Sequence, residues 1–70
     1  MEVRINGETV ALPQSPLTLM ALLAAHYGLE EDTPGVAVAV NEVLAPRSSW
    51  SHREVQPGDQ IEVVHARQGG

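Results

Sequence analysis

The residues with the clearest chemical potential are the last four, Arg67-Gln68-Gly69-Gly70. Glycine has no Cβ, so it reaches backbone angles that other residues avoid and lets a chain pass through narrow places. At a C-terminus, a glycine pair is a slim stalk. Its carboxylate can be threaded into another protein's active site without a clash. An α-carboxyl titrates at roughly 3.3–3.7, so Gly70 is expected to end in an anion at neutral pH. Such an anion can attack the α-phosphate of ATP, but it is a very poor acyl donor. Adenylation would supply the missing leaving group. Glycine also suits a frayed chain end or a remnant of processing, so the tail alone decides nothing.

The remaining side chains narrow the chemistry. No cysteine is present, so no thiolate can bind metal or carry sulfur. No lysine is present either, so the chain cannot be extended into polymers through its own lysines. A phosphate-cradling Walker pattern is missing, and any ATP chemistry must therefore belong to a partner. The chain itself is expected to bind no cofactor. His26, His52 and His65 show no ligand spacing with a carboxylate or a second histidine on one element, so no metal site is expected. No paired acid and base or activated nucleophile stands out, so the chain is not expected to be an enzyme.

Size and charge agree. The chain has 70 residues, the length of one small domain. Four Lys+Arg against nine Asp+Glu give a net charge of −5, and the arginines (4, 47, 53 and 67) are scattered. A nucleic-acid binder needs a basic stripe, and none is present. The acidic balance favours a protein partner with a basic docking surface. No apolar run is long enough for a membrane span, and Met1-Glu2-Val3-Arg4 already alternates like a strand, so a cytoplasmic protein is expected.

The elements that must position the tail can be read in order. Met1, Val3 and Ile5 alternate with polar residues, and Asn6-Gly7 calls for a type I′ hairpin turn. The return strand runs from Glu8 to Leu12, with Val10 and Leu12 facing the core, and Pro13 ends it. Thr18 is the expected N-cap, with Ser15-Pro16 as an alternative start; the helix covers Leu19 to about Tyr27. Leu19, Leu22, Leu23 and His26 or Tyr27 share one stripe, and Gly28 should close the helix with Leu29 folded back. Glu30-Glu31-Asp32 reads as a wet loop. In Val36–Val40 the valines face one way and the alanines the other, which predicts a strand with a small, flat open side. Asn41-Glu42 turns into a short strand at Val43-Leu44. Arg47 to Trp50 suits a helical turn, 51–56 is irregular, and Pro57-Gly58-Asp59 turns into a last strand, Gln60 to His65. One helix and about five strands can close one core only if the helix lies across one face of the sheet. The first and last strands then become parallel central neighbours. The expectation is an α+β, ubiquitin-like β-grasp fold with a mixed five-stranded sheet. Residues 1–65 form the domain and 66–70 a flexible tail.

These residues resemble the thiamine-pathway sulfur carrier proteins, the ThiS-type family of small ubiquitin-like proteins. The matching stretches are Ile5-Asn6-Gly7-Glu8, Thr18-Leu19 through Leu22-Leu23, Val38-Ala39-Val40-Asn41, Pro46-Arg47-Ser48-Ser49-Trp50, Pro57 through Val64, and Gly69-Gly70. His65-Ala66-Arg67-Gln68 departs from the small apolar residues that often precede the glycines, which bears on the surface that receives the tail. The resemblance implies that a ThiF-like adenylyltransferase attaches AMP to the Gly70 carboxylate. A sulfur-donating enzyme then yields a thiocarboxylate, which gives its sulfur to a ThiG-like thiazole synthase. Gly69 and Gly70 are the expected slim stalk, with Gln68 and Arg67 as the preceding tail residues.

Val64, Ala37 and Ala39 on the open face are the candidate partner surface. Arg47 is expected to be solvated or salt-bridged, or to dock on a partner acid. Trp50 is expected half-buried at the sheet edge, or in contact with a partner. Three other functions stay compatible with the residues: the small subunit of molybdopterin synthase, a ubiquitin-like protein modifier, and a plain β-grasp interaction module.

Overall fold

Local backbone chemistry builds the first hairpin. Strands β1 (Glu2–Ile5) and β2 (Glu8–Ala11) are joined by Asn6 and Gly7 at φ 51° and 85°, the left-handed pair that a type I′ turn demands. This architecture is seen in a computed structural model that describes residues 1–13 and 16–66. Ser15, the alternative helix start, and the tail residues Arg67, Gln68, Gly69 and Gly70 lie outside the described residues.

The single helix, α1 (Leu19–Tyr27), begins at Thr18, whose Oγ1 accepts the Ala21 N–H at 3.1 Å. A helix start leaves its first amides without partners inside the helix. Here the segment after Trp50 supplies them: Leu19 N–H donates to the Arg53 carbonyl and Met20 N–H to the Trp50 carbonyl, each at 2.8 Å. The stretch 51–56, irregular in outline, is thus the seat of the helix N-terminus. Gly28 ends the helix at φ 69°, and Leu29 N–H reaches back to the Leu23 carbonyl at 3.3 Å. This is a Schellman closure, and Leu29 is buried as expected.

Leu19, Leu22 and Leu23 point into the core from one helix stripe, while Ala21, Ala24 and Ala25 are exposed. The alanines therefore contribute helix propensity rather than burial. Tyr27 is half-buried on this stripe and His26 is exposed. Across from the helix lie Val3 and Ile5 of β1; Val36, Val38 and Val40 of β3 (Val36–Val40); and Ile61 and Val63 of β5 (Gln60–His65). Val10 and Leu12 pack only at the margin of this core, because β2 lies at the outer edge of the sheet.

The strand order is β2-β1-β5-β3-β4, with β4 at Val43–Leu44. Strand β5 runs parallel to β1 (Arg4↔Gln60, Ile5↔Ile61) and antiparallel to β3 (Val36↔His65 through Val40↔Ile61). The mixed five-stranded sheet under one helix is the ubiquitin-like β-grasp fold. No helix among the described residues is long and apolar enough to cross a membrane.

The turn into β4 places two non-glycine residues at positive φ: Asn41 at 52° and Glu42 at 69°. Asparagine tolerates this region, whereas the Glu42 side chain gains nothing from it. A left-handed residue with a Cβ costs roughly 1–2 kcal/mol, against roughly 0.5–1 kcal/mol for the extra chain entropy of glycine. Glu42→Gly should therefore stabilise the domain by about 0.5–1 kcal/mol, read as a higher urea midpoint at unchanged slope.

Candidate functional site

The candidate site is the end of β5 and the two surfaces that meet there. Strand alternation sends Val63 inward and Val64 outward, so the last turns of backbone before the tail present one residue to each face. Val64 is 60% exposed and pairs with Ala37, while Ala39 pairs with Leu44 on β4. Paired residues share a face of the sheet. Leu44, Ala39, Ala37 and Val64 therefore form one apolar strip on the open side, running from β4 to the end of β5. Val64, Ala37 and Ala39 are the residues singled out from the sequence. Leu44, at 67% exposure, completes the strip and was not among them. Only its register opposite Ala39 reveals it, and no local pattern carries that information. Glu62, opposite Ala39, adds a negative charge within the strip.

The opposite side of β5 carries His65, whose ring stands edge-on to Tyr27 at a centroid distance of 6.1 Å. Tyr27 is held in turn. Its hydroxyl accepts from Asn6 Nδ2 at 3.3 Å, and its ring meets His26 edge-on at 5.0 Å. Asn6 also bonds β5 directly: Val63 N–H donates to Asn6 Oδ1 at 2.8 Å, and Asn6 Nδ2 donates to the Val63 carbonyl at 3.3 Å. The hairpin residue thus extends the β1–β5 ladder after the β1 backbone has turned away. Just past His65, the Ala66 N–H donates to the Gly35 carbonyl at 2.6 Å. Gly35 is left-handed at φ +75°, and a Cβ there would lie 3.5 Å from the Ala66 carbonyl oxygen.

Two sequence expectations are corrected. Trp50 is not half-buried at the sheet edge; it is 1% exposed, among the largest fully buried side chains. Its Nε1–H donates to the Ala45 carbonyl at 3.0 Å, which satisfies the one polar group that would otherwise favour the surface. Trp50 has no surface with which to contact a partner. Arg47 is not freely solvated: among the described residues, its partners are backbone carbonyls. Nη1 donates to the carbonyls of Glu31 and Thr33, each at 2.7 Å, and Nη2 donates to that of Val36 at 3.0 Å. The guanidinium sits 4.7 Å above the Trp50 ring, a cation–π contact. Three of its N–H donations go to backbone of the same chain.

Two surface hollows accompany these features. One is lined by Glu30, Glu31, Asp32, Arg47 and Ser48, the other by Arg4, Asn6, Gly7, Gln60, Ile61 and Glu62. Among the described residues, no group of three His, Cys, Asp or Glu side chains could hold a metal ion.

Comparison with known proteins places this arrangement in context. Residues 3–70 match the family model of the ThiS family. The sulfur carrier protein ThiS of Escherichia coli strain K12 is 38% identical over 42 residues, which cover 60% of this chain. That match spans 64% of the E. coli protein, less than two thirds of its length. A crystal structure of a thiamine biosynthesis protein (ThiS) from Geobacter metallireducens superposes with a TM-score of 0.80 at 24% identity, covering all of both chains. A solution structure of a thiamine biosynthesis protein from the same organism gives 0.79 at 24% identity, over all of this chain and 88% of that one.

The burial of Trp50 has a direct consequence. Trp50→Ala should cost about 3–5 kcal/mol, a cavity penalty large enough to threaten a domain of this size. Chemical denaturation followed by circular dichroism checks it. Surface replacements such as Ser48→Ala should stay within about 0.5 kcal/mol of the parent.

Proposed function

The chain belongs to the ThiS family, and from that membership we propose that it is a sulfur carrier for thiazole formation in thiamine biosynthesis, with Gly70 as the carrying residue. The observation that carries the reading is the family match, which runs through residue 70 and so includes Gly69-Gly70. The chemistry requires nothing that the chain lacks. A Gly70 carboxylate oxygen attacks the α-phosphorus of ATP in the site of a ThiF-like adenylyltransferase, and pyrophosphate leaves. Sulfide, delivered by a sulfur-donating enzyme, attacks the acyl carbon. AMP departs with the former carboxylate oxygen, leaving a thiocarboxylate. A thiazole synthase then transfers the sulfur to its substrate, and an oxygen from that substrate or from water takes its place on the acyl carbon, restoring the carboxylate. The chain is acted upon at each step, and ATP is a substrate of its partner. With no cysteine in the sequence, sulfur is held at the backbone terminus.

In this reading residues 66–70 are the tail and the fold is the handle, operating in the cytoplasm. Gly69 and Gly70 admit the terminus to a narrow site, with Gln68 and Arg67 as its approach. The apolar strip of Val64, Ala37, Ala39 and Leu44 receives the activating enzyme, because it ends at Val64 on the strand that leads into the tail. A carrier must be gripped by several enzymes in turn, which favours a shallow shared face over a deep pocket.

The test is the mass of the C-terminal peptide after incubation with ATP, an adenylyltransferase and a sulfide source. Gly70 should gain one sulfur and lose it when thiazole synthase and its substrates are added. Adducts on lysines of other proteins would instead identify a protein modifier, and discharge only to a molybdopterin synthase large subunit would identify that branch. Deleting Gly70 shifts the carboxylate by about 3.3–3.6 Å of extended chain, and transfer should be abolished. Val64→Glu should weaken binding of the adenylyltransferase by about tenfold or more, corresponding to about 1.4 kcal/mol, with the fold intact by circular dichroism.

A further inference from the structure

The Pro46-Arg47-Ser48-Ser49-Trp50 motif is left without a role in the transfer chemistry, yet the Arg47 side chain makes three hydrogen bonds to backbone carbonyls and a cation–π contact with Trp50. Its position in the sheet explains why. Along β3, the Val38 carbonyl accepts from Ala45 N–H at 2.8 Å, so the even-numbered carbonyls face the β4 side. The odd-numbered ones face β5: the Gly35 carbonyl accepts from Ala66, and Asn41 N–H donates to the Gln60 carbonyl at 2.7 Å. Strand β4 is only two residues long and cannot reach Val36. The Arg47 guanidinium takes the place of the missing strand at that carbonyl, and the same group gathers the carbonyls of Glu31 and Thr33. Trp50, fixed in the core, holds the guanidinium plane from below.

The result is a continuous path: Trp50, then Arg47, then the carbonyls at 31, 33 and 36, then Gly35, then Ala66. Gly35 lies between Thr33 and Val36, both of which Arg47 holds. It offers the last backbone acceptor that β5 meets before residue 67.

We propose that Arg47 is a positioning residue for the reactive tail: it fixes the 31–36 loop so that Gly35 pins Ala66, and thereby sets the point and direction at which the chain leaves the fold. The proposal rests on the sulfur-carrier reading and deepens it. The terminus must arrive at an α-phosphate with a placement error well under an ångström or two. With Ala66 pinned, only four residues separate the anchor from the acyl carbon. With Ala66 released, the last point held by the fold lies further back along β5, so fewer encounters place the carboxylate in line.

Arg47→Gln removes the fork, and Ala66→Pro removes the single N–H at the far end of the path without touching Arg47 or the core. In Arg47→Gln, exchange of the Ala66 amide should quicken by about tenfold or more while the amides of β1 keep their protection. Adenylation by the ThiF-like enzyme should lose about 10–100-fold in kcat for both variants, with KM for the carrier changed far less, since the docking strip is untouched. The double variant should be no worse than the poorer single one, as expected for two breaks in one path. Arg47→Lys keeps the charge but not the planar fork, and should behave as Arg47→Gln does.

An Ala66 amide unaffected by Arg47→Gln overturns the inference, whatever the transfer assay gives. So does a released amide with unchanged kcat, or full activity in Arg47→Lys, which would assign the residue to charge. Fully additive losses in the double variant also overturn it. Parent protein that accepts no AMP at all sinks the carrier reading itself, and the role in transfer falls with it. The Ala66 exchange result separates the two failures, because it needs no partner enzyme.

Discussion

The central strand β5 is the constraint on which the structure depends. A strand flanked on both sides must have its backbone groups paired on both sides, because a buried amide or carbonyl without a partner costs about as much as a lost hydrogen bond. Strand β1 satisfies one flank and β3 the other. Near the end where the tail departs, β1 has already entered its hairpin, while β3 still pairs with β5 as far as Val36 and His65 but has lost its own outer partner, β4. Two side chains complete the pairing. Asn6 bonds both backbone groups of Val63, and Arg47 takes the Val36 carbonyl. The same asparagine also supplies the left-handed turn. One residue therefore serves local geometry and long-range pairing at once, and losing it would be felt in both.

The legible part of the sequence was the part with local causes. Asn6-Gly7 and Gly28 announce themselves because positive φ is a property of single residues, and the structure has them at 51°, 85° and 69°. The alternation of Val36–Val40 announces a strand because side-chain direction reverses at every residue. The placement of Val64, Ala37 and Ala39 on the open face follows from the same period. What escaped reading depends on partners distant in sequence. Trp50 was assigned to an edge because nothing near it says that the Ala45 carbonyl will receive its indole N–H. Arg47 reads from sequence as solvated, salt-bridged or docked on a partner acid, because three backbone carbonyls leave no charge pattern to detect. Leu44 joined the partner face only once its register with Ala39 was known, and Ala45 and Val55 entered the core through contacts that no periodicity encodes. The glycine tail is a case of its own: its chemistry is read from residue type and position, and its residues lie outside the described structure.

Architecture and chemistry are divided between two parts of the chain. The fold contributes a face and an exit. Both are built on β5, and strand alternation separates them. Val64 turns toward the open side, while Val63 and His65 turn toward the helix and Tyr27. A partner can therefore hold the sheet without disturbing the packing at the root of the tail. The acidic surface and shallow relief suit the docking of successive partners under the proposed carrier function.

The shortness of β4 has a further consequence, for solubility. An exposed strand edge is a template on which other chains can add, and long flat edges lead to fibrils. Here the edge beside β3 offers two strand residues, Val43 and Leu44, before Pro46 interrupts it, and the next carbonyl along is covered by a cationic side chain. An incoming strand would have to displace Arg47 from Val36 to continue its ladder. The arginine that completes the sheet from within thus also guards it against growth from without, which matters for a protein that exposes apolar Val43, Leu44 and Val64 between encounters with its partners.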